Sequence, residues 1–263
     1  MNRLKACSSC CAILILAAAL GACVTTGAYD SGGEENPESA ARYNLELGVS
    51  YLEQGRLDLA RDKLERALEQ DPDSAEVHAA AALMYNEARD YDKAEKHYET
   101  AVRLDRENSA VLNSYAVFLC SRDRFEAAEA NFLEAARNPY YQTPEVAYAN
   151  AGVCARRLGE PEKAERYFRE SLDANPRYEH ALLQMADLSY QQKNYLQARA
   201  FLQRYTEATT ATAEALWLGV RTERAMGDTA AAENYATRLK SEYPRSSQTR
   251  LLLESEHETP NAG

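Results

Sequence analysis

Between residues 41 and 246, apolar side chains recur three and four positions apart, and polar breaks interrupt the pattern at regular intervals. That spacing places the apolar positions on one face of a helix, so the region reads as a series of amphipathic helices. Glycine and proline are sparse and alanine is abundant, which favours helix over sheet. Gly55, Gly159 and Gly227 fall in breaks between paired helices, where a left-handed backbone is useful. Pro72, Pro176 and Pro244 end pairs, and Pro139 stands one place early.

The pairs repeat. Segments beginning at Ala41, Ala75, Ser109, Glu145, Glu179 and Ala213 start 34 residues apart, except for a two-residue insertion before Glu145. Their eighth positions are Gly48, Ala82, Ala116, Gly152, Ala186 and Val220, mostly small, as a close helix crossing requires. The twentieth is alanine in all six: Ala60, Ala94, Ala128, Ala164, Ala198 and Ala232. The twenty-fourth is a larger filler, Leu64, Tyr98, Phe132, Phe168 and Leu202, with Ala236 as the exception. Generic amphipathic helices would give the 3.6-residue period but not small residues in register across six copies. A 34-residue helix-turn-helix period with these residues is the tetratricopeptide signature. The expected fold is all-α, a right-handed superhelical solenoid of six repeats over 41–74, 75–108, 109–142, 145–178, 179–212 and 213–246. No single repeat buries its apolar face alone, so stability rests on stacking. The sixth repeat is the weakest match around Trp217. Residues 247–263 are expected to supply a short capping helix around Arg250 to Glu256 and a frayed tail from His257.

Seventeen tyrosines against one tryptophan and five phenylalanines is an unusual balance. Tyrosine joins an apolar body to a polar tip, which suits half-buried seams between stacked helices. The chain carries 30 basic and 41 acidic side chains. Such a surface repels phosphate backbones, and no basic run offsets it, so nucleic acid is a poor partner.

The first residues follow a different pattern. Arg3 and Lys5 precede an apolar stretch from about Ala12 to Leu20, and Gly21 and Ala22 lead to Cys23. A positive start, a short apolar core and small residues before a cut site describe a secretory signal over 1–22. The run is short of the roughly 20 residues that span a membrane. Leu20-Gly21-Ala22-Cys23 resembles the bacterial lipobox, in which the cysteine thiol is alkylated by a diacylglycerol before cleavage. Loss of Arg3 and Lys5 with the leader leaves 28 basic against 41 acidic side chains, a charge of −13. Cys7, Cys10 and Cys11 would leave with it. Several acyl chains give stable anchoring where one does not. Val24, rather than an aspartate, follows Cys23, so the expected address is the periplasmic face of the outer membrane. Residues 23–40 read as the lipidated cysteine and a flexible tether, spanning roughly 20–25 Å root mean square.

In this architecture the first helix of each repeat lines the concave face. Leu45, Val49, Leu52 and Leu83 give the groove an apolar start, followed by Asn113, Val117, Cys120, Val153 and Arg156, with Asn150 beside them. The last repeats add His180, Leu183, Asp187, Tyr190, Trp217, Arg221 and Arg224. One reading is a protein-binding groove in which leucines desolvate a peptide and the asparagines pair with its backbone. The other is that the leucines pack between repeats and the asparagines bond to helix ends. Cys120 and Cys154 lie on the first helices of consecutive repeats, which run side by side. In an oxidising compartment a disulfide would staple the third repeat to the fourth; the alternative is two buried thiols acting as small apolar residues.

Catalysis finds little in the sequence. His78, His97, His180 and His257 are scattered without metal-ligand spacing, and there is no phosphate loop or serine elbow. No enzyme activity, cofactor, metal or small-molecule substrate is expected.

Several segments are more specific than the repeat. They are Cys23-Val24-Thr25-Thr26-Gly27, Val111-Leu112-Asn113-Ser114-Tyr115 and Phe118-Leu119-Cys120. They continue with Pro139-Tyr140-Tyr141-Gln142-Thr143-Pro144, Asn150-Ala151-Gly152-Val153-Cys154 and Met185-Ala186-Asp187-Leu188. In these the chain resembles the pilotins, the type IV pilus biogenesis lipoproteins, over essentially the whole mature protein. Ser114 replaces a second asparagine common in that family. The resemblance implies a scaffold that binds the pilus secretin, carries it to the outer membrane and promotes its multimerisation, with twitching motility depending on it. A repeat lipoprotein serving peptidoglycan hydrolases or outer-membrane barrel assembly would share the anchor and the repeats. Cys23→Ser is expected to leave a soluble, mislocalised protein and to reduce secretin multimers; unchanged membrane fractionation of that variant would refute the anchor.

Overall fold

The computed structural model describes residues 36–258. Cys23, the leader and residues 24–35 of the tether lie outside them. Among the described residues there are only helices, in this order: α1 (Pro37–Glu53), α2 (Leu57–Gln70), α3 (Ala75–Glu87), α4 (Tyr91–Leu104), α5 (Ser109–Ser121), α6 (Phe125–Arg137), α7 (Pro144–Leu158), α8 (Pro161–Ala174), α9 (Glu179–Gln191), α10 (Tyr195–Ala208), α11 (Ala213–Met226), α12 (Thr229–Glu242) and α13 (Ser247–Glu258). Two differences from the sequence reading stand at the ends. Residues 37–40, read as tether, begin α1, because Pro37 suits the first helical position and Glu38 complements the helix dipole. At the other end α13 continues through His257 to Glu258.

Local chemistry sets the helix boundaries. Ser74, Asn108 and Thr212 cap α3, α5 and α11, each accepting from a backbone N–H three residues on. Asp90, Asn194 and Asp228 do the same for α4, α10 and α12. Each satisfies a donor that the first turn leaves unpaired. Between the two helices of every repeat, the fifteenth position is left-handed. Gly55, Gly159 and Gly227 hold it at φ +69°, +87° and +77°. Arg89, Asp123 and Lys193 hold the same position at +61°, +61° and +60°, where a side chain carries a steric cost.

The two helices of a repeat meet where one is nearly bare. A β-carbon on Gly152 would stand 2.5 Å from the Phe168 ring, so the ring occupies the space a side chain would need. Phe168 is fully buried there. The alanines at the twentieth position are buried in all six repeats. The sixth repeat solves the same problem one residue earlier. Tyr235 packs against Gly219, whose β-carbon would meet it at 2.6 Å, while Val220 and Ala236 fill the neighbouring core with their sizes exchanged. That exchange accounts for the departure of Val220 and Ala236 from the pattern.

Contacts between repeats bend the stack. Successive first helices approach one another closely along the series α1, α3, α5, α7, α9, α11 and α13. The backbones of second helices stay farther apart and are bridged by long side chains, as Lys163 and Tyr167 of α8 bridge to Glu129 of α6. The first helices therefore form the inner wall of a right-handed superhelix and the second helices its outer wall. Aromatic and ionic side chains fill the seams. Tyr98 stacks on Tyr115 of the next repeat at 5.4 Å and tilts against Phe118 at 5.3 Å. Arg199 of α10 grips buried Glu223 of α11 and also Asp228. Leu252 of α13 is fully buried against the last repeat, which closes the terminal apolar face.

Gly152→Val should lower unfolding free energy by about 1–3 kcal/mol, through collision with Phe168. Lys193→Gly should raise it by roughly 0.5–1 kcal/mol, the left-handed penalty less the entropy of glycine. Urea titrations of both variants would measure these shifts; loss of stability in the second would refute the strain assignment.

Candidate protein-binding groove

Once α1, α3, α5, α7, α9 and α11 form the inner wall, the ninth position of the middle repeats stands open to the trough. In the second, third and fourth repeats it is Leu83, Val117 and Val153, and these are 42%, 46% and 38% exposed. Three apolar side chains in line, each held open to water by a rigid helix, make a desolvatable stripe. Beside it lies a hollow of about 320 Å³, lined by Leu83, Asn86, Tyr98, Asn113, Val117 and Phe118 among others. Tyr98 forms part of its floor, and burial, with Glu87 nearby, pushes its hydroxyl up to about 12, so it stays neutral.

The other residues expected in the groove fall into distinct environments. Leu45, Val49 and Leu52 are half-buried and pack against the core shared by the first four repeats, so they form the floor at that end. Asn113 and Asn150 meet across the inner wall, with Asn150 Nδ2 donating to Asn113 Oδ1 at 3.0 Å. Each amide therefore spends part of its hydrogen-bonding capacity on the other. Cys120 and Cys154 are bonded across α5 and α7, with their α-carbons 5.9 Å apart, and both are buried.

Toward the C-terminal end the wall becomes polar and aromatic. Arg156 donates to Asp187 at 2.7 Å and to Gln184, and Gln191 donates to Asp187 at 2.7 Å. Burial holds His180 below the ordinary histidine range. Leu183, Tyr190 and Trp217 pack partly buried against the core of the last three repeats. Arg224 reaches Ser255 of α13 at 2.9 Å.

Two features of this surface escaped sequence reasoning. Asn86, Tyr98 and Phe118 line the hollow from positions whose periodicity reads as core. Tyr140 is 86% exposed in the connection before α7, where Asn138 bonds to Glu107, Ser109 and the backbone of Tyr140. The two-residue insertion marked that connection, but not its outward tyrosine. Among the described residues no group of three or more histidine, cysteine, aspartate or glutamate side chains is placed to hold a metal. No helix of the described residues is long and apolar enough to cross a membrane.

Comparison with known proteins adds identity to this geometry. Tetratricopeptide-repeat families match residues 38–107, 79–142 and 155–219. The type IV pilus assembly protein PilF of Pseudomonas aeruginosa is 32% identical over 235 residues, covering 89% of this chain and 93% of that protein. A solved structure of Pseudomonas aeruginosa PilF matches with a TM-score of 0.70 at 31% identity, over 83% of this chain and 99% of that one. The crystal structure of PilW, described as a widely conserved type IV pilus biogenesis factor, matches with a TM-score of 0.71 at 26% identity. It covers 81% of this chain and 98% of its own.

The cysteine pair closes a loop with a sequence separation of 34 residues. Cys120→Ala with Cys154→Ala should cost about 4 kcal/mol of unfolding free energy, and reductant should cost the unsubstituted chain a similar amount. Thiol titration of the unfolded chain from Val24 onward should find none before reduction and two after; two free thiols without reductant would refute the bond.

Proposed function

The chain belongs to the PilF and PilW family of tetratricopeptide-repeat proteins, and from that membership we propose that it serves type IV pilus biogenesis as a scaffold binding the pilus secretin. In this reading Cys23 carries the lipid that holds the chain to the periplasmic face of the outer membrane. The repeats bind a secretin subunit, cover its sticky surface in transit and promote its assembly into a multimer. The reading includes no chemistry on a substrate.

The observation that carries the binding role is the exposed line of Leu83, Val117 and Val153 beside its hollow. Each is less than half exposed, so covering what remains open contributes about 0.6–1.3 kcal/mol per side chain, the corresponding share of full burial. The residues that form the stripe come from three helices locked by interrepeat packing, so little ordering entropy opposes binding. Leu45, Val49 and Leu52 extend the same wall toward the N-terminal end, and Asn113 and Asn150 supply polar groups at its centre. The lipid and the trough divide the work: one fixes the membrane, the other fixes the cargo.

Val117→Glu should weaken capture of the purified secretin by about tenfold or more, because a buried carboxylate replaces a buried methyl pair. Its unfolding free energy should stay within about 0.5 kcal/mol of the parent, since the position is exposed before binding. Undiminished capture would sink the groove assignment. Retention of a cell-wall hydrolase or a barrel-assembly factor in place of secretin would move the scaffold to a different cargo.

A further inference from the structure

The C-terminal end of the trough contains an arginine held in an unusual state. Arg221 occupies the ninth position of the sixth repeat, in line with Leu83, Val117 and Val153. Its guanidinium carbon lies 4.7 Å from the Tyr190 ring centre and 5.8 Å from that of Trp217. The two rings come from successive first helices, α9 and α11, so the cradle exists only when the fifth and sixth repeats stack. Aromatic faces attract a guanidinium and fix its plane.

The other two concave arginines are already engaged. Arg156 is paired with Asp187 and Gln184, and Arg224 with Ser255 and Glu256. Arg221 makes no ion pair and no hydrogen bond among the described residues, and its Nε is shut off from water without an acceptor. The residue as a whole stays partly open, so the guanidinium keeps donors beyond Nε that an incoming carboxylate can engage. The acid at the same position of the preceding repeat, Asp187, is engaged by Arg156 and Gln191 instead.

Resting on the reading of the trough as the partner's seat, we propose that the Tyr190–Trp217–Arg221 cradle binds a glutamate or aspartate side chain of the bound segment. A carboxylate offers two oxygens in the plane of a guanidinium, and a cation stacked on rings is oriented to receive both. The inner wall continues past the cradle to Arg224 and α13, so a bound segment need not end there, which favours a side-chain carboxylate over a chain terminus. Recognition then has two parts: apolar side chains of the segment lie on Leu83, Val117 and Val153, and an acidic one is fixed at Arg221.

Trp217 is the sole tryptophan of the sequence, so its emission reads this cradle directly. The full mature chain is titrated with three acetylated hexapeptides: Leu-Glu-Leu-Leu-Glu-Leu amide, the same peptide with glutamine for glutamate, and the glutamine peptide with a free C-terminal carboxylate. The glutamate peptide should change the emission saturably, with affinity falling as salt is raised. Both glutamine peptides should bind about tenfold more weakly or worse. Arg221→Gln should lose the same factor for the glutamate peptide alone, and Arg221→Lys should recover only part of it, since an ammonium lacks the planar fork. Equal affinity for the glutamate and glutamine amides, undiminished binding by Arg221→Gln, or no saturable change with any peptide would overturn the proposal. Preference for the free-terminus peptide would overturn the side-chain assignment. Should a variant fail to fold by circular dichroism, the peptide comparison on the unsubstituted chain decides. Peptide discrimination without secretin capture would retire the secretin and leave the cradle; secretin capture without discrimination would do the reverse.

Discussion

Everything in this molecule depends on how closely the two helices of a repeat approach one another. Gly152 lies flat against the Phe168 ring, and Gly219 against that of Tyr235. Such contacts set the depth of each helix pair, and the pair is the unit that stacks. A repeat with a side chain in that space would hold its helices apart and present a different face to its neighbours. Packing at near-crystalline density leaves no slack to absorb the error. The conserved geometry is a size complement between two positions, and the sixth repeat shows that it survives when both positions shift by one.

The curved trough is a consequence of that regularity. The backbones of first helices lie closer to their successors than those of second helices do, so every added repeat turns the stack the same way. A wall made by repetition carries one feature many times, and Leu83, Val117 and Val153 are the same position in three consecutive copies. Where the series continues to Asp187 and Arg221 the chemistry changes from apolar to charged while the geometry stays constant. A trough of this kind grades its surface along its length, with an apolar zone toward one end and an aromatic and cationic zone toward the other.

Stability and binding draw on different residues of the same helices. Alanines at the twentieth position and the large fillers opposite the small positions are buried and hold the pairs together. The disulfide between Cys120 and Cys154 lies on the inner wall between α5 and α7, close to Val117 and Val153 in sequence and on the same helices. It ties together the two repeats that flank the irregular connection at residues 138–143, the one place where the 34-residue period is interrupted. The fold thus places a covalent link where the repeat geometry supplies least constraint.

The period, the helix pairs, the turn position and the small-to-large complement were all legible in the amino-acid order, because each depends on neighbours within one repeat. The residues of the inner wall were legible as a set for the same reason. Their division into floor and open stripe was not. Leu45, Val49 and Leu52 look like Leu83 in a helical pattern, yet the first group packs on the shared core while Leu83 stands out from it. Asn113 and Asn150 were identifiable as groove amides, but their bond to each other joins residues 37 positions apart. Arg221 was one more charged position until α9 and α11 brought Tyr190 and Trp217 around it. Short-range order fixes which residues a helix presents; only the stacking of helices decides what each of those side chains will meet, since exposure and pairing are properties of the space between repeats.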